Sequence, residues 1–543
     1  MTQSVFPLPG VQHGKRIIPA VIEARARKEN DTPWVSLPIN EDDLSLGFKD
    51  ISFKALNNAA NHAAHWLRQN LPDASEPFPT FAYTGPKDIR YPILAVAAAK
   101  LQKVLVLPSP LVTAEAQLRI LEQASCTVYV RPLAMKAQID AILQNAPHVQ
   151  AINLPDLEEF LKEEEAEPVT YSKTWDEGKD DPWLAFHTSG TTGNPKPVVY
   201  THRMLAAIDM IAASPNIKQS MIHHAALHRL FTPIPSLHVT GMMLILATTT
   251  YVHTTAVLGP SAPLTPATVV SVFKNTKVDV TLLPPALIDG LCASEDGLAA
   301  LRQLDLIMYT GAPLAAKSAA LLIPQVSLVN GVGSTEAGGY FATMHEHRDA
   351  WDYLCFTQQA GATFEPRTAD GLHELVFVRP TTTPDTDADP DFLPQIFQVY
   401  PELDRYETKD LWRQHPVYKD LWTIVGRTDD YVPLSHSDGL HASSLEPEIT
   451  AHPAIKTALI GGHGRAKPAL VLELVPGTDG FEVESLRPYV EKMNQRCHEC
   501  VRLDMNRIIV ASDEKPFVYT VKGSVARMQT LRLYDPEIDA LEA

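Results

Sequence analysis

His187-Thr-Ser-Gly-Thr-Thr-Gly-Asn-Pro-Lys196 is the stretch that decides how the rest of this chain is read. Thr188, Ser189, Thr191 and Thr192 supply four hydroxyls within a few residues. Gly190 and Gly193 let the backbone turn tightly and bring its amides close to an anion. Lys196 adds positive charge. The flanks Trp183-Leu-Ala-Phe186 and Val198-Val-Tyr200 read as strands, so the loop closes a hairpin and does not open a helix. It is therefore not the phosphate loop of pattern GxxxxGK[ST], which the chain lacks.

Upstream of the loop, helical and strand patterns alternate. In 52–67, Leu56, Ala59, Ala60, Ala63, Ala64 and Leu67 recur at helical spacing, with Ser52 placed to cap the N-terminus. Segments 79–84, 104–107 and 127–130 read as strands, and 92–101 and 114–123 as helices. This alternation predicts an α/β protein with parallel βαβ units and helices on both faces of a sheet. The acidic run 157–168 reads as a solvated helix or linker. Residues 381–394 are rich in Asp but lack the spacing of a calcium loop, and read as a surface loop. Another break falls at Gly426-Arg-Thr-Asp-Asp430, beyond which about a hundred residues are enough for a small α+β domain.

The 543 residues are 45% hydrophobic and 20% charged, a globular and not a disordered composition. With 46 basic and 64 acidic side chains the net charge is −18, which disfavours nucleic acid as a partner. Five cysteines spread over this length suggest a reducing compartment. The N-terminal sequence shows no secretory signal pattern, and the longest apolar runs are too short or too interrupted to span a bilayer. The expectation is a cytoplasmic protein without a membrane partner. Cys497-His-Glu-Cys500 is a single CxxC, and His223, His224 and His228 lack a third ligand at metal spacing, so neither is read as a zinc site.

The 187–196 segment resembles the phosphate loop of the adenylate-forming superfamily, which includes acyl-CoA synthetases, luciferases and nonribosomal peptide synthetase adenylation domains. Asn330-Gly-Val-Gly-Ser-Thr-Glu336 resembles its second nucleotide segment. That likeness implies contacts to ATP from Asn330, Gly331, Val332, Gly333 and Ser334, an α-phosphate bond from Thr335, and Mg²⁺ at Glu336. Where the family carries an aromatic residue to stack on adenine, this chain has Val332. Tyr406-Glu-Thr-Lys-Asp410 is similar to the family's Y-x-T-G-D, with Lys409 in place of Gly and Asp410 implied to bind the ribose hydroxyls. Gly426–Asp430 resembles the hinge segment, with Arg427 on the ribose or phosphates and Asp429 as pivot. Thr520-Val-Lys-Gly-Ser524 resembles the segment of the catalytic lysine, here Lys522, with Lys515 as the second candidate. Pro235-Ser-Leu-His-Val-Thr-Gly241 matches the H-x-x-G wall of the acyl pocket. By the same likeness the pocket takes in His238, Val239, Gly241, Met242, Pro284, Gly311, Ala312 and Val332.

The resemblance covers about residues 30–540 and is strongest to fungal nonribosomal-peptide-synthetase-like carboxylic acid reductases. It implies a large N-terminal domain, 1–426, of mixed sheets sandwiched by helices, and a small mobile α+β domain, 427–543. The implied reaction converts a carboxylic acid and ATP to an acyl adenylate, then passes the acyl group to the phosphopantetheine thiol of a carrier domain. Carrier and reductase domains of a longer protein are the implied partners, and this domain is expected to be monomeric. Amino-acid-activating relatives place an acid in the 235–241 segment to pair with the α-ammonium, and this chain has none there. A buried unpaired ammonium is costly, so the expected substrate is a carboxylic acid without an α-amine, such as an aryl or arylpyruvic acid. The alternatives are a stand-alone aryl- or acyl-CoA ligase, an arylpyruvate-condensing synthetase domain, and a catalytically silent nucleotide-binding module.

Overall fold

The computed structural model describes residues 8, 10–28, 31–188, 195–214, 217, 219–311, 313–340, 342–356, 361–367, 371–380, 393–435, 439–478, 480–497, 499–519 and 525–542. The chain forms two compact units. The first comprises described residues of 1–188, 195–361 and 379–404, and the second those of 362–378 and 405–543.

The first unit holds two sheets. One is six-stranded, in the spatial order Gln150–Leu154, Val128–Pro132, Thr80–Tyr83, Val104–Val106, Pro182–His187, Pro197–Thr201. Its neighbouring strands are parallel except for the last pair, the hairpin read from the sequence, which is antiparallel with His187 opposite Pro197. The other is seven-stranded: Ser327–Asn330, Leu306–Tyr309, Val280–Leu283, Arg229–Phe231, Thr255–Val257, Pro33–Pro38, Phe48–Ser52. Here too only the final pair is antiparallel.

Helices fill the space between the sheets, because one continuous core joins Trp34 and Val35 of the second sheet to Phe81 and Trp183 of the first through Phe53, Ile93, Leu205 and Leu246. Helix Phe53–Asn70 starts where the sequence placed it, with Ser52 Oγ accepting the Ala55 N–H at 3.1 Å. Helix Arg90–Lys100 is buried on every side. One of its two buried cations, Lys100, is tolerated because Nζ reaches Glu23 at 3.0 Å and the side-chain oxygens of Asn57 and Asn61 at 2.8 Å each. The acidic run is solvated as its charge suggested, with Glu158, Glu159, Glu163, Glu164, Glu165 and Glu167 all exposed, while its backbone is held. After the short helix Leu157–Phe160, with Phe160 buried, the backbone carbonyls of Lys162, Glu164 and Glu167 accept bonds from Asn58, His62 and His65 of the neighbouring helix. Among the described residues no helix is long and apolar enough to cross a membrane.

The second unit contains an antiparallel sheet in the order Leu421–Arg427, Arg405–Gln414, Leu372–Val378, Ala362–Pro366. It also contains the three-stranded sheet Ile455–Gly461, Ala469–Leu474, Ile508–Val510, covered by helices Ala442–Thr450 and Arg487–Asn494.

His202, at the start of helix His202–Ala213, stacks on Trp183 with ring centroids 4.6 Å apart and is 3% exposed. Burial, with Lys173 nearby, pushes its imidazole down to about 3 from 6.5. Between those values the unfolded chain binds a proton that the native chain refuses, so stability falls as pH falls from about 6.5 toward 3. His202→Phe keeps the stacking and removes the titration. In urea unfolding from pH 7 to pH 4, the variant is expected to lose about 1.4 kcal/mol per pH unit of the wild-type acid sensitivity. An unchanged slope would refute the assignment.

Candidate active site

Four adjacent parallel strands of the seven-stranded sheet end at Phe231, Leu283, Tyr309 and Asn330. Leu283 lies level with Tyr309, and Tyr309 with Asn330. Every family-implied pocket position in this unit follows one of these ends: His238 after the first, exposed Pro284 after the second, Gly311 after the third, and 331–336 after the fourth. Ligands of open parallel sheets bind outside the carboxyl ends of the strands, where chains diverge and backbone groups are not committed to the ladder.

His238 occupies the N-cap position of helix Val239–Met242, which runs on through a wider π-helical stretch, Met243–Thr248, to Val252. A turn sets it there: the His238 N–H donates to the Pro235 carbonyl at 3.0 Å. The same carbonyl oxygen would lie 2.1 Å from a Cβ on residue 241, so the fourth residue of His-Val-Thr-Gly must be glycine. Half-buried His238 remains partly open, whereas Val239 and Met242, at 9% and 0% exposure, belong to the core. Helix packing, which a spacing pattern does not show, turned those two inward.

In the hairpin, the Thr188 N–H donates to the Lys196 carbonyl at 3.1 Å and the Lys196 N–H to Thr188 Oγ1 at 3.4 Å. Buried His187 accepts the Ser109 N–H on Nε2 at 3.0 Å, which leaves Nδ1 to donate to the Thr188 carbonyl at 3.0 Å. The mouth of the loop is thus pinned. Ser189, Gly190, Thr191, Thr192, Gly193, Ala312 and Lys522 lie outside the described residues, as does the side chain of Asp429.

Tyr200, on the second strand of the hairpin, is fully buried and donates its hydroxyl to the Thr335 carbonyl at 2.8 Å. Burial, with the charge of Glu336 adding, pushes this phenol well above its usual range, so it stays a donor. The 187–196 hairpin and the 330–336 segment are therefore fastened together. Within that segment the Gly331 N–H donates to the Tyr309 carbonyl at 2.7 Å and the Tyr340 N–H to that of Val332 at 2.8 Å. Gly333–Ser334 pairs with Gly338–Gly339 so closely that a Cβ on residue 333 would lie 2.4 Å from the Gly338 carbonyl oxygen. Gly338 itself has φ +68° and leaves no room for a Cβ beside Gln395 Oε1. The result is a pinned turn that leaves Val332, Thr335 and Glu336 partly exposed. Glu336 makes no salt bridge among the described residues.

In the second unit, buried Asp410 stands opposite Arg427 in the ladder, and Arg427 Nη1 donates to Asp410 Oδ1 at 2.9 Å. Two motifs some distance apart in sequence thereby meet. At the end of the turn Thr428–Asp430, Asp430 lies 3.3 Å from Arg527 Nε, and Arg527 also pairs with buried Glu446. The ends of the Lys522 segment are drawn together by the Tyr519–Val525 bridge and by the Ala526 N–H donating to the Val518 carbonyl at 2.8 Å. Lys515 holds Glu537 through both carboxylate oxygens at 2.6 and 2.8 Å. Among the described residues no group of three or more His, Cys, Asp and Glu could hold a metal ion, and helix Met221–Ala225 ends before His228.

Tyr200, Gln395 and Glu374 (described below) were not found from sequence. Only Tyr200 gave a signal, as a hydroxyl on the inward side of a strand whose outward neighbour Val199 is 43% exposed.

Residues 22–361 match the model of the AMP-binding enzyme family and 429–543 that of the AMP-binding enzyme C-terminal domain. The chain is 29% identical, over 97% of its length and 51% of the relative's, to a carboxylic acid reductase of Neurospora crassa. It is 25% identical, over 97% of its length and 49% of the relative's, to the adenylate-forming reductase Nps11 of Serpula lacrymans. It thus spans about half the length of these curated relatives. Its fold matches that of the anthranilate CoA ligase AuaEII in complex with anthranoyl-AMP, with TM-score 0.71 and 16% identity over 95% of this chain and 96% of that one. Because the family model runs through more than half of the chain, and through the strand ends where the pinned turn and the hairpin meet, the chain belongs to the AMP-binding family of adenylate-forming enzymes.

Proposed function

We propose that this chain is the acid-activating part of a longer carboxylic acid reductase of the nonribosomal-peptide-synthetase-like type. On this reading it converts an aryl carboxylic acid and ATP to the acyl adenylate and pyrophosphate, then delivers the acyl group to a carrier phosphopantetheine thiol. The observation that carries the reading is the Tyr200–Thr335 bond, which fastens the hydroxyl-rich hairpin to the turn bearing Thr335 and Glu336 at the strand ends. The names and lengths of the curated relatives support the longer architecture. The missing carboxylate in 235–241 supports an acid without an α-amine.

A carboxylate is a poor electrophile, and joining it to AMP gives it a good leaving group. The acid's oxygen attacks the α-phosphorus, the bond to the β-phosphate oxygen breaks, and pyrophosphate leaves. Both reactants are anions, so the protein's task is positioning and charge neutralisation. On this reading the 188–196 hairpin with Lys196 holds the triphosphate, and Thr335 donates to the α-phosphate. Lys522 bridges the acid and the α-phosphate, while His238 flanks the acid. Val332 lies along the base. Asp410 and Arg427 hold the ribose side.

A lone, half-buried carboxylate such as Glu336 fits Mg²⁺, which is held by one or two carboxylates together with substrate phosphate oxygens. Bound there, Mg²⁺ would neutralise phosphate charge. For thioester formation the body beyond Asp429 turns about that residue, withdrawing Lys522 and admitting the thiol.

ATP–pyrophosphate exchange with a panel of benzoic, cinnamic and arylpyruvic acids tests the substrate class, and no exchange with any of them would count against it. Lys522→Ala is expected to lower exchange by about 100-fold or more with ATP still bound, whereas Lys515→Ala stays near wild type. Full exchange in Lys522→Ala would remove that lysine from the mechanism. Asp429→Pro, by stiffening the pivot, is expected to spare exchange and block thioester formation on a phosphopantetheinylated carrier or on CoA. Equal loss of both half-reactions would argue against a pivot.

A further inference from the structure

On the strand Arg405–Gln414 the ladder is broken just where Asp410 lies. Glu374 faces Leu411 and Val376 faces Glu407, so Thr408, Lys409 and Asp410 together oppose the single residue Leu375. Such a bulge re-aims the side chains at its exit and needs a residue able to take the unusual backbone. That residue is Lys409, with φ +63°, in the left-handed region where a Cβ is strained. Glycine is the residue that adopts this conformation without cost.

Two side chains hold the strained backbone. Thr408 Oγ1 donates to the Leu375 carbonyl at 2.8 Å and accepts the Asp410 N–H at 3.1 Å. Glu374, 3% exposed, accepts the Lys409 N–H on Oε1 at 3.0 Å and Arg367 Nε on Oε2 at 2.5 Å. Arg367 is braced in turn by Glu407 Oε1 at 3.0 Å, on the near side of the same bulge. The carboxylate therefore spans the gap between the strands and catches the amide of the left-handed residue itself, as Thr408 catches that of Asp410.

We propose that Glu374 is a positioning residue for nucleotide recognition: through the Lys409 amide it holds the bulge that aims Asp410 at the ribose hydroxyls. This rests on the reading of Asp410 as the ribose-binding carboxylate. Glu374 touches no substrate. It supplies the hold that a glycine at 409 would make unnecessary, which makes Glu374 and Lys409 energetically dependent on each other.

Binding of ATP and of 3′-deoxy-ATP to the purified chain, compared by calorimetry, reads the aim of Asp410 directly. Wild type is expected to prefer ATP, and Asp410→Asn to lower that preference about tenfold or more. Glu374→Ala is expected to lower it comparably, and Lys409→Gly in the Glu374→Ala background to restore most of it. A purely structural Glu374 would instead lower melting temperature with the preference intact, and glycine at 409 would rescue nothing. Where Glu374→Ala does not fold, Glu374→Gln serves. An amide has one acceptor for the two donors, Lys409 N–H and Arg367 Nε, so one bond is lost in either orientation. The expected result is then a partial loss of preference, again restored by Lys409→Gly. Wild-type preference in the Glu374 variants, with Asp410→Asn impaired, would overturn the positioning role alone. An unchanged preference in Asp410→Asn would overturn the ribose assignment and this proposal with it.

Discussion

Tyr200 gives its hydroxyl proton to the carbonyl oxygen of Thr335 across a sequence separation of 135 residues. The donor stands on the six-stranded sheet, and the acceptor lies just beyond the edge strand of the seven-stranded one. Neither the hairpin nor the 330–336 turn could keep a fixed relation to the other through its own local bonds. A phosphate chain bound across both would then meet groups that move independently, and catalysis by positioning needs them held in advance. Full burial of the phenol makes this a high-stakes contact, because an unpaired hydroxyl there would cost more than the bond contributes.

The rest of the first unit serves that relation. Tight glycine contacts at 241, 333 and 338 bring backbone against backbone or against Gln395, where any side chain would push the turns apart. Trp183 stacks on His202 and donates to the Ala95 carbonyl at 2.7 Å, locking the hairpin's first strand to two helices. His187 has both ring nitrogens occupied, so its place at the head of the loop is that of a brace. The second unit meets a similar demand by another device. There Asp410 leaves a bulge whose strained residue is a lysine, held by a buried glutamate.

Much of this was legible from sequence where the determining forces are local. The helix capped by Ser52 and the helix Ala114–Gln123 follow from side-chain period and capping. The hairpin followed from two short apolar runs around a Gly/Thr loop. Less was legible wherever a residue's partner is distant in the chain. The carbonyls of the solvated acidic run accept bonds from Asn58, His62 and His65, and nothing near the run in sequence reveals those partners. Val239 and Met242, implied as pocket residues, are buried, and their burial comes from helix packing that position in the chain does not show.

The amino-acid sequence by itself determined the alternation of strands and helices, the Gly/Thr-rich hairpin and the lack of an acidic residue in 235–241. These depend on residue type and short-range spacing. Only the tertiary structure decided that Tyr200 reaches Thr335, that Arg427 meets Asp410 and that Glu374 holds Lys409 in a left-handed turn. Each of these pairs joins groups on different elements, and which side chains meet is settled by sheet register and packing, which no local pattern encodes.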